Sequence, residues 1–174
     1  MAKPQDRGAR QKNGERGQAV AELAFQIPLM LVILFGCVQI ARVFYVYHTL
    51  QKALRGGAAL LARSVNVNYC NSADPALTDA RNFMVFGNLQ GEGTPVVEGL
   101  TPDMIQILPE RLVAGTTTVT ECLCTEDAGG CNGRAPDFVA VNLGGGFPLQ
   151  LLFPFVNLGT INLKVSVRMP VTGG

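Results

Sequence analysis

The cysteines are the most reactive side chains in this sequence, and their positions divide them into two groups. Cys37 lies within a long apolar run, where a thiol acts as a small apolar side chain. Cys70, Cys122, Cys124 and Cys131 all follow that run. An even set of cysteines in a part of a protein that reaches an oxidising compartment favours disulfides.

The alternative for these four cysteines is a metal site, because Cys122, Cys124 and Cys131 come close together in sequence. The C-x-x-C spacing of zinc sites is missing, however, and no histidine follows His48. We therefore predict disulfides and no metal. Cys122 and Cys124 are two residues apart on a predicted strand, so their side chains point to opposite faces and need different partners. Cys131 is the expected partner of one of them, and Cys70 of the other.

Glu22 is the second chemical feature, because it lies just inside the apolar run. A carboxylate costs about 2.5 kcal/mol or more at the centre of a membrane helix and less toward the interface. Because Glu22 lies near one end of the apolar run, its side chain can reach the membrane interface without a partner. A neighbouring cation would stabilise its charge further. Gly17 lies five residues earlier and is preceded by Arg16 and a basic leader. An unpaired buried carboxylate would be penalised, so Glu22 is expected to pair with a cation.

Catalytic patterns are weak in this chain. His48, the only histidine, has no cysteine or serine nucleophile signature near it. The run Gly144-Gly145-Gly146 lacks the lysine and the helix start of a phosphate-binding loop. The net charge of +1 argues against binding to nucleic acid. We predict a protein that is not an enzyme and that uses no cofactor.

These residues depend on one long helix for their position. The chain carries no charge from Leu23 to Ala41, a length of roughly 28 Å as a helix, which matches the core of a bilayer. A signal peptide would be shorter and would be followed by a small-x-small cleavage site. We predict a membrane span over residues 19–41, in contact with lipid. Pro28 removes one backbone hydrogen bond within it and predicts a helix kink.

Charge at the N-terminus predicts the orientation of the span. The first 17 residues hold five lysines and arginines against two acidic residues, so this end should stay in the cytoplasm. We expect residues 1–17 to be a disordered cytoplasmic leader. The helix should continue beyond the membrane to residue 64, with one apolar face that includes Val46, Leu50, Leu54 and Leu61. Gly56-Gly57 within it indicates either a local kink or a close helix–helix contact.

The remaining residues, 65–174, predict a small extracytoplasmic head, so the fold class is α+β with a short helix and an antiparallel β-sheet. The short helix is expected over residues 76–86, ending at Gly87. Strands are expected at 104–108, 116–124, 137–143 and 161–169, with 116–124 pairing with 137–143. Residues 147–155 are apolar, contain two prolines and are too short for a second span, so they are expected to be a linker.

The N-terminal third of the chain resembles a known family. The order of basic leader, Gly17, four uncharged residues, Glu22 and apolar helix is similar to a type IV prepilin processing signal. The segments RGQAVAELAFQIPLMLVILFG, ARVFYVYHTLQKA and LRGGAALLARS resemble the TadE-like family of the tight-adherence (Flp, type IVc) pilus system. Two positions differ from the usual pattern, since Ala21 replaces a frequent valine and Leu23 a frequent phenylalanine.

The resemblance implies a minor pilin or pseudopilin that takes part in pilus assembly. It implies cleavage after Gly17 by a prepilin peptidase, which makes Gln18 the new N-terminus and leaves Glu22 for subunit assembly. It further implies other pilins and an inner-membrane secretion platform as partners, with the head in the periplasm or in the pilus. The alternative is an uncleaved single-span membrane anchor whose periplasmic head binds a partner, which gives no reason for a carboxylate inside the span.

Overall fold

The computed structural model describes residues 7–122, 124, 135–153 and 156–172. Within these ranges the predicted α+β architecture is confirmed: a long N-terminal helix leads into a small head with a short helix and antiparallel sheets. The predicted single sheet is in fact two sheets.

The long helix, α1, spans Arg7–Arg63 and runs through Pro28. The expectation of disordered chain up to residue 17 is therefore wrong for residues 7–16. This segment contains good helix formers such as Ala9, Arg10 and Lys12. They extend a helix that already exists, so they avoid the cost of nucleation. The helix is long and apolar enough to cross a membrane.

The second half of α1 forms one wall of the core of the head. Its buried hydrophobic residues are Val46, Leu50, Leu54, Ala58, Leu61 and Ala62, so the predicted apolar face is buried at Val46, Leu50, Leu54 and Leu61. Burial of Val46, Leu50, Leu54 and Leu61 stabilises the head, since each such side chain removed from water contributes about 1.5–3 kcal/mol. The candidate membrane span and one wall of the core of the head are consequently parts of one helix.

The short helix, α2, spans Pro75–Phe86, in agreement with the prediction. Asp74 caps its N-terminus, because Asp74 Oδ1 accepts a hydrogen bond from the backbone N–H of Ala76 at 2.9 Å. Gly87 ends the helix with φ 74°, a left-handed conformation that glycine adopts without strain. Leu77, Ala80, Met84 and Val85 are buried.

A four-stranded antiparallel sheet packs against α1 through β3 and β6, and its strand order is β2-β1-β3-β6. Its strands are β1 (Ile105–Leu112), β2 (Val119–Glu121), β3 (Phe138–Leu143) and β6 (Ser166–Pro170), and a single 3-10 turn, Pro102–Met104, precedes β1. Across the outer face of β3, Arg168 on β6 donates to Glu110 on β1 with Nη2–Oε1 at 3.0 Å. The hydrogen bond and charge of Glu110 raise the pKa of the Arg168 guanidinium.

The strand predictions need three corrections. The predicted strand 104–108 continues to Leu112 through Pro109, whose carbonyl accepts from Cys122 N at 2.9 Å. Proline is tolerated there because its nitrogen faces the β2 side, where the short edge strand ends. The predicted strand 116–124 shrinks to β2, and it pairs with β1 and not with residues 137–143. Thr116–Thr118 are exposed and offer no apolar face, so this segment stays at the edge of the sheet.

The third correction concerns the predicted strand 161–169, which is divided between two sheets. Its first part belongs to β5 (Val156–Leu163) and its second part to β6. β5 pairs with β4 (Phe147–Phe153), the segment that was predicted as a linker. The β4–β5 hairpin is thus inserted between β3 and β6, which pair with each other. Burial still alternates through the break, with Val165 and Val167 buried and Lys164, Ser166 and Arg168 exposed.

Candidate functional site

The candidate site is the first part of the apolar helix, residues 17–22, which we call the processing segment. All of it is helical and exposed. A side chain added at Gly17 would meet no atom within 4 Å, so the peptide bond after Gly17 is not covered by the rest of the described structure. The large apolar side chains from Val20 to Ile40 are exposed as well. A helix that is apolar all round is suited to lipid or to other helices.

Glu22 forms a contact within this segment that the sequence analysis missed. Gln18 Nε2 donates a hydrogen bond to Glu22 Oε1 at 3.3 Å. Residues four apart lie one above the other on a helix, so the backbone nitrogen of residue 18 lies on the same side as the carboxylate. The i, i+4 spacing of Gln18 and Glu22 was the signal in the sequence. It places the predicted new N-terminus within about one turn of Glu22.

The four cysteines of the head are the second predicted set. Cys70, in the loop after α1, forms a disulfide with Cys124, with their Cα atoms 5.5 Å apart. Cys122 is also disulfide-bonded. Cys131, its expected partner, lies outside the described residues, so that pairing stays a prediction. Cys37 is a free cysteine on the exposed surface of α1.

The loop that carries Cys70 is held by Asp74. Asp74 Oδ2 accepts from the backbone N–H of Asn68 at 3.1 Å, while its other oxygen caps α2. Beside them, burial raises the pKa of the Tyr69 phenol to about 12, and the nearby charge of Asp74 acts in the same direction. These contacts hold the loop in one conformation, but they assemble no nucleophile or acid–base pair.

The Gly56-Gly57 pair was predicted to mark either a local kink or a close helix–helix contact, and the structure shows the close contact. A Cβ at Gly57 would lie 2.3 Å from Cγ of Met84, and a Cβ at Gly56 would lie 2.8 Å from the Phe83 ring. The two glycines therefore let α2 approach α1 within the same chain. A groove of about 530 Å³ beside them is lined by Leu60, Arg63, Phe83 and Leu89, among others. Within the described ranges, no group of three or more His, Cys, Asp or Glu residues is placed to hold a metal.

One comparison with known families bears on the processing segment. Residues 17–59 match the model of the TadE-like protein family. The resemblance seen in the sequence is confirmed over this segment, which contains Gly17, Glu22, the apolar run and the Gly56-Gly57 pair. The match covers 43 of the 174 residues, so similarity to this family is shown for the processing segment and the part of α1 that follows it. Neither a curated protein nor a solved structure matches the chain significantly.

The matched segment ends at residue 59, inside α1, so it includes no part of the head other than that helix. It therefore includes the part of α1 that carries the core residues Val46, Leu50 and Leu54. The strands, α2 and the disulfide lie outside the matched residues. The similarity is thus to α1, whose apolar part is consistent with attachment to a membrane.

Proposed function

We propose that this protein is a minor pilin or pseudopilin that takes part in assembly of a tight-adherence pilus. The observation that carries the proposal is the processing segment: an uncovered Gly17, five residues before a lone carboxylate, at the start of an exposed apolar helix. The match over residues 17–59 supports the same function. The N-terminus lies in the cytoplasm, and the head lies on the other side of the inner membrane.

A prepilin peptidase hydrolyses the peptide bond between Gly17 and Gln18. Because this bond lies within α1, a few residues must unwind before a peptidase can bind them in an extended conformation. Glycine reduces the cost of unwinding, since it is about 1 kcal/mol less favourable than alanine in a helix. Gly17 thus provides both access for the peptidase and a weak point in the helix.

Cleavage creates a cation next to Glu22. The new amine at Gln18 is on the same side of the helix as the carboxylate, where the Gln18 amide is already in contact with it. In lipid such a pair is favoured over a lone charge. Either this amine or that of a neighbouring subunit neutralises Glu22, and pairing between subunits fixes their axial position in the assembly. Other pilins and the inner-membrane secretion platform are the partners in this step.

The mass of the N-terminal peptide tests the proposal. In membranes of the native host, the mature chain should begin at Gln18 when the peptidase is present and at the leader when it is deleted. Gly17→Val should retain the leader, because a branched side chain crowds the peptidase site. Gly14→Val is the matched control and should be cut normally. An intact leader in membranes with an active peptidase would favour the uncleaved anchor.

A further inference from the structure

Charges of opposite sign lie in different parts of the chain beyond the candidate span. Residues 41–63 of α1 contain no acidic residue, whereas residues 64–104 contain five acidic residues and one basic residue. The exposed cations of α1 are Arg42, Lys52, Arg55 and Arg63, and the exposed carboxylates of the second segment are Glu92, Glu98 and Asp103. Among the described residues, the ion pair of the head joins Arg168 to Glu110, so the cations of α1 form none with these carboxylates.

The groove between α1 and α2 has the cations of α1 along one side. Its lining includes Ala59, Leu60 and Arg63 from α1, with Phe83 and Leu89 from α2 and the loop that follows. Lys52 and Arg55 lie on the same helix face as Ala59 and Arg63, because these positions are three or four residues apart. One side of the groove is therefore cationic.

The other side of the groove continues into the acidic loop. Asn88, which lines the groove, donates from Nδ2 to the carbonyl of Glu92 at 2.7 Å. Val96 lies against Gly87, since a Cβ at Gly87 would be 3.8 Å from Val96 Cγ1. Glu98 follows two residues later. These contacts hold Glu92 and Glu98 beside the end of α2, which forms the side of the groove opposite the cations.

The surface between the cations and the carboxylates is apolar. Leu89 and Val96 are 42% and 39% exposed, although both belong to the folded head. Leu60 and Phe83 are partly buried and line the groove. The order across this surface is thus cationic, apolar and acidic. Such a surface fits a copy of itself turned by 180°, because each cationic side then faces an acidic side.

The height of the groove above the membrane suits contact between two anchored chains. Gly56, which lines it, is fourteen residues beyond Arg42, or about 21 Å of helix. The headgroup layer is about 5–8 Å thick on each side of a bilayer, so the groove lies above the lipid. The Phe83 ring packs against Gly56, so the end of α2 is level with the α1 residues of the groove. Two chains inserted in one orientation therefore present the cationic and acidic sides at similar heights.

We propose that this surface pairs with a second copy of the same chain in the same membrane. In the pair, Arg63 of each copy faces Glu92 and Glu98 of the other, and Leu89 and Val96 lie at the centre. A standard interface buries about 800 Å² of each partner, and this surface is smaller. Confinement to one membrane raises the effective concentration of the two chains and compensates for the smaller area. The inference depends on α1 being a membrane span, goes beyond pilus assembly and does not require cleavage after Gly17.

Exchange of charges between two copies tests the pairing. Full-length chains with two different affinity tags are expressed together in a bacterial host without a tight-adherence system, extracted in mild detergent and captured through one tag. Wild-type chains should be captured together. When both copies carry Arg63→Glu, or both carry Glu98→Lys, co-capture should fall about tenfold, because each contact occurs twice and attraction becomes repulsion. A mixture of the Arg63→Glu chain with the Glu98→Lys chain should recover the wild-type level, because both contacts then join opposite charges.

Lys164→Glu and Glu121→Lys are the matched controls, since both positions are exposed and neither lines the groove. Each should leave co-capture unchanged. Ala59→Phe changes no charge and should lower co-capture several-fold by filling the groove. The proposal is overturned if wild-type chains are not captured together, if Ala59→Phe has no effect, or if the mixture stays as low as either charge variant alone. Either result leaves open the cleavage after Gly17, which the N-terminal mass tests separately.

Discussion

Glu22 and Gln18 form a polar pair near the start of the apolar part of α1. In the uncleaved chain, the Gln18 amide provides Glu22 with a neutral partner at 3.3 Å. A neutral donor compensates a carboxylate in lipid less well than a cation does, because hydrogen bonds between ionised partners are the stronger ones. If the proposed function holds, a cation supplied during assembly would therefore stabilise the Glu22 carboxylate more than the Gln18 amide does.

Removal of this charge should separate assembly from the earlier steps. We expect Glu22→Ala to leave membrane level and cleavage nearly unchanged and to reduce surface pili strongly. Glu22→Gln should be nearly as harmful, because it keeps the shape and loses the charge. Each variant is expressed in a host that lacks the native protein, and membrane level, N-terminal mass and pili are measured separately.

Gln18→Ala is the matched control for this experiment. It removes the side-chain amide but keeps the new backbone amine, so pili should form if the amine is the partner of Glu22. Normal piliation with Glu22→Gln would instead make Glu22 a tolerated polar residue and would favour the single-span anchor.

At the scale of elements, the contact between α1 and α2 depends on the missing side chain of Gly57. A valine there would overlap Met84, so it should lower the free energy of unfolding of the head by about 1–3 kcal/mol. Met84→Ala leaves space at the same place. We expect the double variant Gly57→Val/Met84→Ala to lose less free energy of unfolding than the two single variants lose together. Thermal unfolding in detergent measures the three losses. Strict additivity would show that the two residues do not share the contact.

The N-terminus of α2 depends on Asp74, which caps the helix and holds the preceding loop. Asp74→Ala should destabilise the head by about 1 kcal/mol, the usual cost of a lost N-cap. Asp74→Asn keeps an acceptor for Ala76 and should retain most of the stability. Thermal unfolding of the two variants side by side distinguishes the cap from the charge, and equal losses would contradict a capping role.

Tyr69, in the loop before α2, predicts that the stability of the head falls at alkaline pH. The pKa of Tyr69 is raised from 10.0 to about 12 by burial and then by Asp74. Above pH 10 the unfolded chain loses this proton while the folded chain keeps it, so the contribution to stability is present below pH 10 and is lost as the pH rises toward 12. Tyr69→Phe should lose less stability between these pH values than the wild type. Thermal unfolding at several alkaline pH values measures the difference.

The strands show which parts of the fold a sequence can predict. α2 was predicted because its start at Pro75 and its end at Gly87 are local signals. The alternation over residues 161–169 was also read correctly for Val165 and Val167, but a pattern of period two does not reveal a change of partner. The pairing of β1 with β3 depends on residues far apart in the chain. The spacing of Gly17 and Glu22 was enough to predict the processing segment. The i, i+4 spacing of Gln18 and Glu22 indicates that their side chains can meet, but only the side-chain positions show that the amide reaches the carboxylate.

At the scale of the whole molecule, the disulfide between Cys70 and Cys124 joins two regions 54 residues apart. Its loss should destabilise the head by up to about 4 kcal/mol, because a crosslink of this span restricts the unfolded chain. We expect Cys70→Ala/Cys124→Ala to unfold at a clearly lower temperature than the wild type. Cys37→Ala is the control and should be neutral, and non-reducing peptide mapping identifies the bonded pairs. An unchanged unfolding temperature in the double variant would contradict a structural role for this bond.

α1 is a single helix of 57 residues, about 86 Å in length, in which Pro28 lacks one backbone hydrogen bond. Gly56 and Gly57 have the lowest helix propensity in the part of α1 beyond the candidate span, and both pack directly against α2. Because one helix carries both Glu22 and the core residues of the head, a shift of Glu22 along the helix axis would move the head by a similar distance. A rotation about that axis would turn the head by a similar angle. Each residue added between Glu22 and Gly36 would turn the head by about 100° around the helix axis. The number of residues between Glu22 and the head thus sets the direction in which the head would face around the axis of a fibre.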